Sequence, residues 1–216
     1  MIDIINIFQN TVEYKNFGLN WLTASAIATI IFSFVKGYGI AKQKKEIWKN
    51  KTGESVSPIF FFYNLFFFSI FFLYGVEEKS IAITCNGSLF LFYIPILIGL
   101  KKYKGFSLRE IFGAIIMSLV IPAVFFFDKR QVVFAFSLVA VMAIAAQFRE
   151  IWKTKSFGAF RLEYMQTFFV TSIFWDVYYA MTKNWQLLAL NIAETIAFGI
   201  ALILEKKWRK PKRLSN

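Results

Sequence analysis

The chain alternates between long apolar blocks and short clusters of charged residues. Most blocks are roughly 18–24 residues long, the length a helix needs to cross a hydrocarbon core of about 30 Å. The fifth block is shorter and is expected to run on into residues 148–152. Backbone polar groups must be satisfied internally in lipid, so each block is predicted to be a helix. The seven predicted spans are 18–41, 56–76, 81–100, 108–127, 132–147, 160–181 and 187–204.

The composition supports this prediction of an all-α integral membrane protein. Hydrophobic residues make up 57% of the 216 residues and aromatic residues 20%, whereas soluble domains are about 45–50% apolar. The excess is concentrated in the predicted spans, and no segment between them is long enough to hold a soluble domain.

The basic residues predict an orientation in the membrane. The net charge is +12, with 19 Lys and Arg on the side that follows spans one, three, five and seven and 5 on the other side. Basic loops favour the cytoplasmic side and anionic lipid. We therefore expect an outside N-terminus, a cytoplasmic C-terminus, a prokaryotic plasma membrane, and lipid as the partner instead of nucleic acid.

Two scarce residue types narrow the chemistry. The chain contains no His and one cysteine, Cys85, which excludes His-based metal sites, Ser-His-Asp triads and an internal disulfide. No nucleotide-binding loop and no carboxylates paired at catalytic spacing occur either. The sequence predicts a protein that is not an enzyme and has no cofactor or metal.

A segment of the chain recurs after 104 residues. The sequences QKKEIWKNKT (43–52) and QFREIWKTKS (147–156) share six of ten positions. The same offset pairs Phe71-x-x-Tyr74 with Trp175-x-x-Tyr178, and an offset one residue longer pairs Asn86 with Asn191. Spans one to three are therefore predicted to repeat as spans five to seven in the same orientation, with span four as an inversion linker.

This repeat predicts how the chain is organised. The expected segments are an extracytoplasmic N-terminus (1–17), a first three-helix bundle (18–100), a linker helix (101–130), a second bundle (131–205) and a basic cytoplasmic tail (206–216).

The repeated pattern Q-x-[KR]-E-I-W-K-x-K-[ST] resembles the PQ-loop motif. The three-plus-one-plus-three arrangement is similar to that of the SWEET sugar facilitators, which belong to the same superfamily. The resemblance covers about residues 18–210. In both copies the family's Pro is replaced, by Lys42 and by Ala146.

The resemblance implies a set of solute-binding residues. Asn86 and Asn191 would face a central pocket, and Trp175 and Phe71 would offer flat apolar faces to a solute. The family's Gly three residues beyond each Asn is replaced, by Leu89 in the first half and Glu194 in the second. Interhelical hydrogen bonds by the amides and an interfacial aromatic belt are the structural alternatives.

Two further pairs are candidates for gates. Tyr74 and Tyr178 lie one turn beyond the aromatic pair and are expected to close the outer end. Gln43 and Gln147 are expected at the inner gate and its hinge. Interface anchoring explains part of both patterns equally well.

Three ionisable residues fall inside predicted spans, where a charge is costly. Glu194 lies one turn from Asn191 and is a candidate for proton exchange, for recognition of a cationic solute, or for pairing with Lys36. Lys36 can alternatively extend its ammonium to the interface. Asp176 lies near the outer end, where hydration is easy.

Transport of a small polar solute by facilitated diffusion is the predicted function, and the resemblance favours a sugar. One alternative is a proton-coupled carrier of an amino acid or cationic metabolite. A third hypothesis is a ligand-binding membrane receptor similar to the KDEL receptor. One chain with two bundles can complete a pore, and assembly into a homo-oligomer stays open.

Overall fold

The computed structural model describes residues 9–208, with side chains up to residue 203. All regular elements in this range are helices. They are α1 (Val12–Lys15), α2 (Trp21–Asn50), α3 (Pro58–Glu77), α4 (Ile81–Gly87), α5 (Phe90–Tyr103), α6 (Leu108–Ser118), α7 (Val120–Phe126), α8 (Lys129–Ser137), α9 (Val139–Thr154), α10 (Leu162–Met181) and α11 (Trp185–Trp208). The predicted segments 1–17 and 206–216 lie partly outside the described residues.

Helices α2 to α11 build seven spans, since three pairs of consecutive helices each form one span with a short break. Within the described residues, six spans are long and apolar enough to cross a membrane by length and composition. The remaining span is α10, whose 20 residues include Glu163, Gln166 and Asp176. These polar groups lower its mean hydropathy, and the helix packs against both α2 and α11.

The repeat predicted from sequence is present in the backbone. Helices α3 and α10 begin and end 104 residues apart, as do the ends of α2 and α9. Left-handed residues recur with the same offset: Lys51 (φ 50°) matches Lys155 (φ 48°), and Lys79 (φ 53°) matches Lys183 (φ 56°). The two halves therefore share loop conformation as well as helix positions.

The spans form two three-helix bundles joined by a linker span. The first bundle contains α2, α3 and α4–α5, and the second contains α8–α9, α10 and α11. Between the bundles α2 packs along α10, and the repeat-related α9 packs along α3. The linker span, α6–α7, lies against α3. Large apolar side chains that face outward, such as Phe126 (82% exposed) and Ile203 (72% exposed), form the lipid-facing surface.

Small residues allow the helices to approach closely. A Cβ at Gly39 of α2 would lie 2.1 Å from Thr167 Oγ1 of α10. At Gly87 of α4 it would lie 2.4 Å from the backbone nitrogen of Phe72 in α3. Helix association in membranes uses small residues in this way, because close backbone approach maximises packing where lipid provides no hydrophobic driving force.

The first span extends further at its basic end than predicted, whereas the fifth continues past residue 147 as expected. Helix α2 continues to Asn50, beyond the predicted end at residue 41, and α9 continues to Thr154. The repeated motif is therefore helical over most of its length. Polar, helix-favouring residues such as Lys44 and Glu46 extend the helix after the apolar pattern stops.

Candidate functional site

A small central cavity lies where the two bundles meet. Its volume is about 40 Å³, room for no more than a few water molecules. Its wall combines aromatic rings with a few polar groups, contributed by both bundles. The residues that line the cavity include Lys36, Tyr63, Phe68, Phe71, Asn86, Phe168, Trp175, Asn191 and Glu194.

All four residues predicted to bind solute line this cavity. Asn86 and Asn191 lie in the third span of each half, and Phe71 and Trp175 lie in the second span. The Phe71 and Trp175 rings, which are related by the repeat, contact each other edge to face at 5.8 Å between centroids.

The two asparagines differ in their partners. Asn86 Oδ1 accepts a hydrogen bond from Ser33 Oγ at 3.3 Å. Asn191 Nδ2 donates to Asp176 Oδ1 at 2.7 Å and to the Ser172 carbonyl at 2.8 Å. Asp176 is therefore held behind Asn191 and is absent from the lining of the cavity in the described part of the chain.

Lys36 places an ammonium group in the wall of the cavity. The residue is 6% exposed, and its Nζ lies 4.5 Å from the ring centre of Phe168 and 5.2 Å from that of Phe68. These rings stabilise the cation through their π faces. The expectation that Lys36 extends its ammonium to the interface does not match this position, because α2 continues well beyond it.

Glu194 lines the same cavity from the other bundle. Lys36 reaches the cavity from α2 and Glu194 from α11. Within the described residues, however, no ion pair of 4.0 Å or less includes Lys36. The cavity wall thus carries one basic and one acidic side chain, from opposite bundles, that do not form a direct ion pair.

Among the residues that the structure describes, two buried polar atoms in the cavity wall have no hydrogen-bond partner. They are the Tyr63 hydroxyl and Trp175 Nε1. Buried polar groups are normally paired, so such atoms beside a cavity indicate a place for a ligand or water. Tyr63 was missed by sequence reasoning, because it lies outside the repeated motif among many similar aromatic residues.

The basic end of the bundle interface is closed by two reciprocal contacts. Gln43 of α2 donates to the Ala159 carbonyl at 2.8 Å and accepts from the Arg161 amide at 2.8 Å. Gln147 of α9 donates to the Ser55 carbonyl at 2.7 Å and accepts from the Ser57 amide at 2.9 Å. Each glutamine binds the loop before the second span of the opposite half, at positions related by the repeat offset.

Further contacts strengthen this closure. Phe60 and its repeat-related partner Tyr164 pack edge to face at 6.0 Å, on the basic side of the cavity. Arg161 forms ion pairs with Glu163 and, at 3.3 Å, with Glu46 across the interface. The hydrogen bond to Glu163 raises the pKa of Arg161 further above its ordinary value, so the guanidinium stays charged.

The opposite end contains a much larger cavity, of about 770 Å³. The predicted gate residues Tyr74 and Tyr178 line it, and it reaches the surface beside the exposed Asp128 and Arg130. Tyr179 lines both this vestibule and the central cavity. The glutamine contacts therefore close the basic end, and at the other end Tyr179 lies between the central cavity and the vestibule.

Glu13, which the sequence did not single out, joins the N-terminal helix to both bundles at this end. Its carboxylate accepts hydrogen bonds from Ser80 Oγ at 2.6 Å and from the amides of Ile81 at 3.0 Å and Ala82 at 3.1 Å. Tyr178 of the second bundle donates to the same group at 3.0 Å. The carboxylate thus caps α4 and links the bundles.

Comparison with known proteins identifies the fold. Neither a protein-family model nor a curated protein matches this sequence. Among solved structures, the chain is similar to a eukaryotic SWEET transporter, with a TM-score of 0.59 over 87% of this chain and 96% of that one. The two sequences are 16% identical, so the likeness concerns the fold. The chain is an integral membrane protein with the seven-helix, three-plus-one-plus-three architecture.

Proposed function

We propose that this protein is a membrane transporter that moves a small polar solute between the two sides by alternating access. The observation that carries the proposal is the arrangement along the bundle interface. A largely aromatic cavity with a few polar groups lies at its centre, closed toward one end by Gln43 and Gln147 and separated by Tyr179 from a vestibule at the other. The basic end would face the cytoplasm, as the distribution of Lys and Arg favours.

In this proposal the two bundles rock against each other around the cavity. The repeat-related contacts of α2 with α10 and of α3 with α9 form the moving interface. Release of the glutamine contacts would open the basic end, and closure around Tyr74 and Tyr178 would seal the vestibule. Related arrangements of repeats around a central site are general among transporters.

Passive transport without ion coupling is the simplest form of the proposal. The resemblance to SWEET facilitators makes sugars the first neutral solutes to test. Glu194 supports a second candidate, a proton-coupled carrier, because its carboxylate lines the cavity opposite a buried cation. Recording the internal pH during uptake distinguishes the two, since solute-driven acidification that disappears in Glu194→Gln belongs to the coupled carrier alone.

The direct test is uptake into proteoliposomes over a panel of sugars, amino acids and nucleosides. For any solute that is carried, Trp175→Phe should reduce uptake at low concentration about three- to tenfold, because the unpaired indole N–H is lost while the apolar ring remains. Trp21→Phe is the matched control, since Trp21 is 75% exposed and lies outside the cavity. Absence of flux for every solute with correctly folded protein would overturn the proposal.

A further inference from the structure

The central cavity contains several hydrogen-bond donors that have no acceptor among the described residues. Trp175 Nε1 can only donate, the Tyr63 hydroxyl is unpaired, and the Lys36 ammonium faces two rings that accept no conventional hydrogen bond. A buried donor without an acceptor is costly. The cavity is therefore suited to a solute rich in acceptor oxygens.

Two ionisable residues in the cavity wall restrict the class of solute further. Lys36 lies on α2 in the first bundle and Glu194 on α11 in the second, and both line the cavity. A cation in this apolar wall favours an anionic partner, and the carboxylate opposite favours a cationic one. A neutral sugar would bring hydroxyl groups but neither charge.

We propose that the central cavity, once the bundles move apart and enlarge it beyond about 40 Å³, binds a small zwitterion, with the solute's carboxylate at Lys36 and its ammonium at Glu194. An α-amino acid is the simplest solute that carries both groups a short distance apart. Trp175 and Tyr63 donate to its remaining acceptor positions. This inference rests on the proposed transport function and names the solute class for the same site.

The geometry also gives the two charges a role in the transport cycle. The solute bridges one charged residue from each bundle, so binding draws the bundles together around it. A solute that lacks either charge leaves one buried charge without its partner and stabilises the closed arrangement less. Both charged groups of the solute are therefore required for efficient uptake.

The first arm of the test uses the unmodified protein. Proteoliposomes are assayed with radiolabelled amino acids alongside glucose and sucrose. For the amino acid that is carried best, its amide, its N-acetyl derivative and the matching hydroxy acid are then tested as competitors. Each of these compounds lacks one charge. The concentration needed to inhibit uptake by half should be at least about tenfold higher than for the parent compound.

The second arm changes the protein. Lys36→Met should weaken amino-acid uptake about tenfold or more, whereas Lys36→Arg should retain part of it because the charge remains. Lys42→Met is the matched control, since it removes a cation that lies over the Tyr38 ring on the same helix but outside the cavity. In Glu194→Gln, the amino acid and its hydroxy acid should differ less in how strongly they compete for uptake.

The outcomes separate this inference from the proposed function. Sugar flux that Lys36→Met leaves unchanged, with no amino acid carried, would overturn the zwitterion site and leave transport standing. Thermal stabilisation of the purified protein by an amino acid, without flux, would support the site and overturn transport. If no amino acid binds to the protein and none is carried, the inference is wrong.

Discussion

At the residue scale, the two glutamines show how one side chain can close an interface. An amide side chain has a donor and an acceptor, and both glutamines use both on backbone groups of the opposite half. Gln43 and Gln147 are also nearly inaccessible, at 0% and 4% exposed. Their loss would leave buried backbone groups unpaired, which costs about 1–3 kcal/mol each.

Gln147→Ala should therefore open the basic end. In a Cys85→Ser background, a cysteine placed at Ser55, which is 1% exposed, reports on accessibility. We expect Gln147→Ala to increase its labelling by a membrane-impermeant maleimide about tenfold or more. The exposed Gln166 provides the control substitution Gln166→Ala. Equal labelling rates in the two variants would contradict a closing role for Gln147.

At the element scale, helix spacing depends on single glycines. A methyl group at Gly87 would meet the backbone of Phe72, which cannot move independently of α3, whereas one at Gly199 would meet the Phe169 ring at 3.3 Å. Overpacking of this kind costs about 1–3 kcal/mol. Gly87→Ala should thus lower the unfolding temperature in detergent clearly more than Gly199→Ala, and equal temperatures would contradict the close approach.

The short helix α1 is the other element whose role can be tested separately. Glu13→Ala removes the acceptor for the Ile81 and Ala82 amides at the start of α4. We expect hydrogen exchange at these two amides to accelerate about tenfold or more, because the cap and its link to Tyr178 are lost together. Glu54→Ala, at an exposed carboxylate, should leave them unchanged. If Glu54→Ala accelerates hydrogen exchange at these amides to the same extent, Glu13 does not cap α4.

At the scale of the whole molecule, the repeat gives two similar bundles but unequal ends. The glutamine contacts follow the repeat, as do the Phe71–Trp175 and Phe60–Tyr164 pairs. The charged groups break it, since Lys36 corresponds to Ala140 and Glu194 to Leu89. The symmetric parts build the moving interface, and we assign solute selection to the asymmetric ones.

Much of this architecture could be predicted from sequence because apolar length and a repeated motif are local signals. The helices, their parallel repeat and the linker span were predicted in this way, and the fold comparison confirms the seven-helix arrangement. The partners of Gln43 and Glu13 could not be predicted, since they lie 116 and 67 residues away and include backbone groups. The unpaired Tyr63 hydroxyl likewise has no signature in a segment rich in aromatic residues.

In the proposed transport cycle, solute can move only when the basic end opens. Ser55 of the first bundle and Thr154 of the second lie with their hydroxyl oxygens 2.7 Å apart across that end. A Ser55→Cys, Thr154→Cys pair in a Cys85→Ser background can therefore be cross-linked by mild oxidation. We predict that oxidation abolishes uptake into proteoliposomes and that reduction restores it, while the single-cysteine variants stay active throughout. Full uptake by completely cross-linked protein would show that transport does not require the basic end to open.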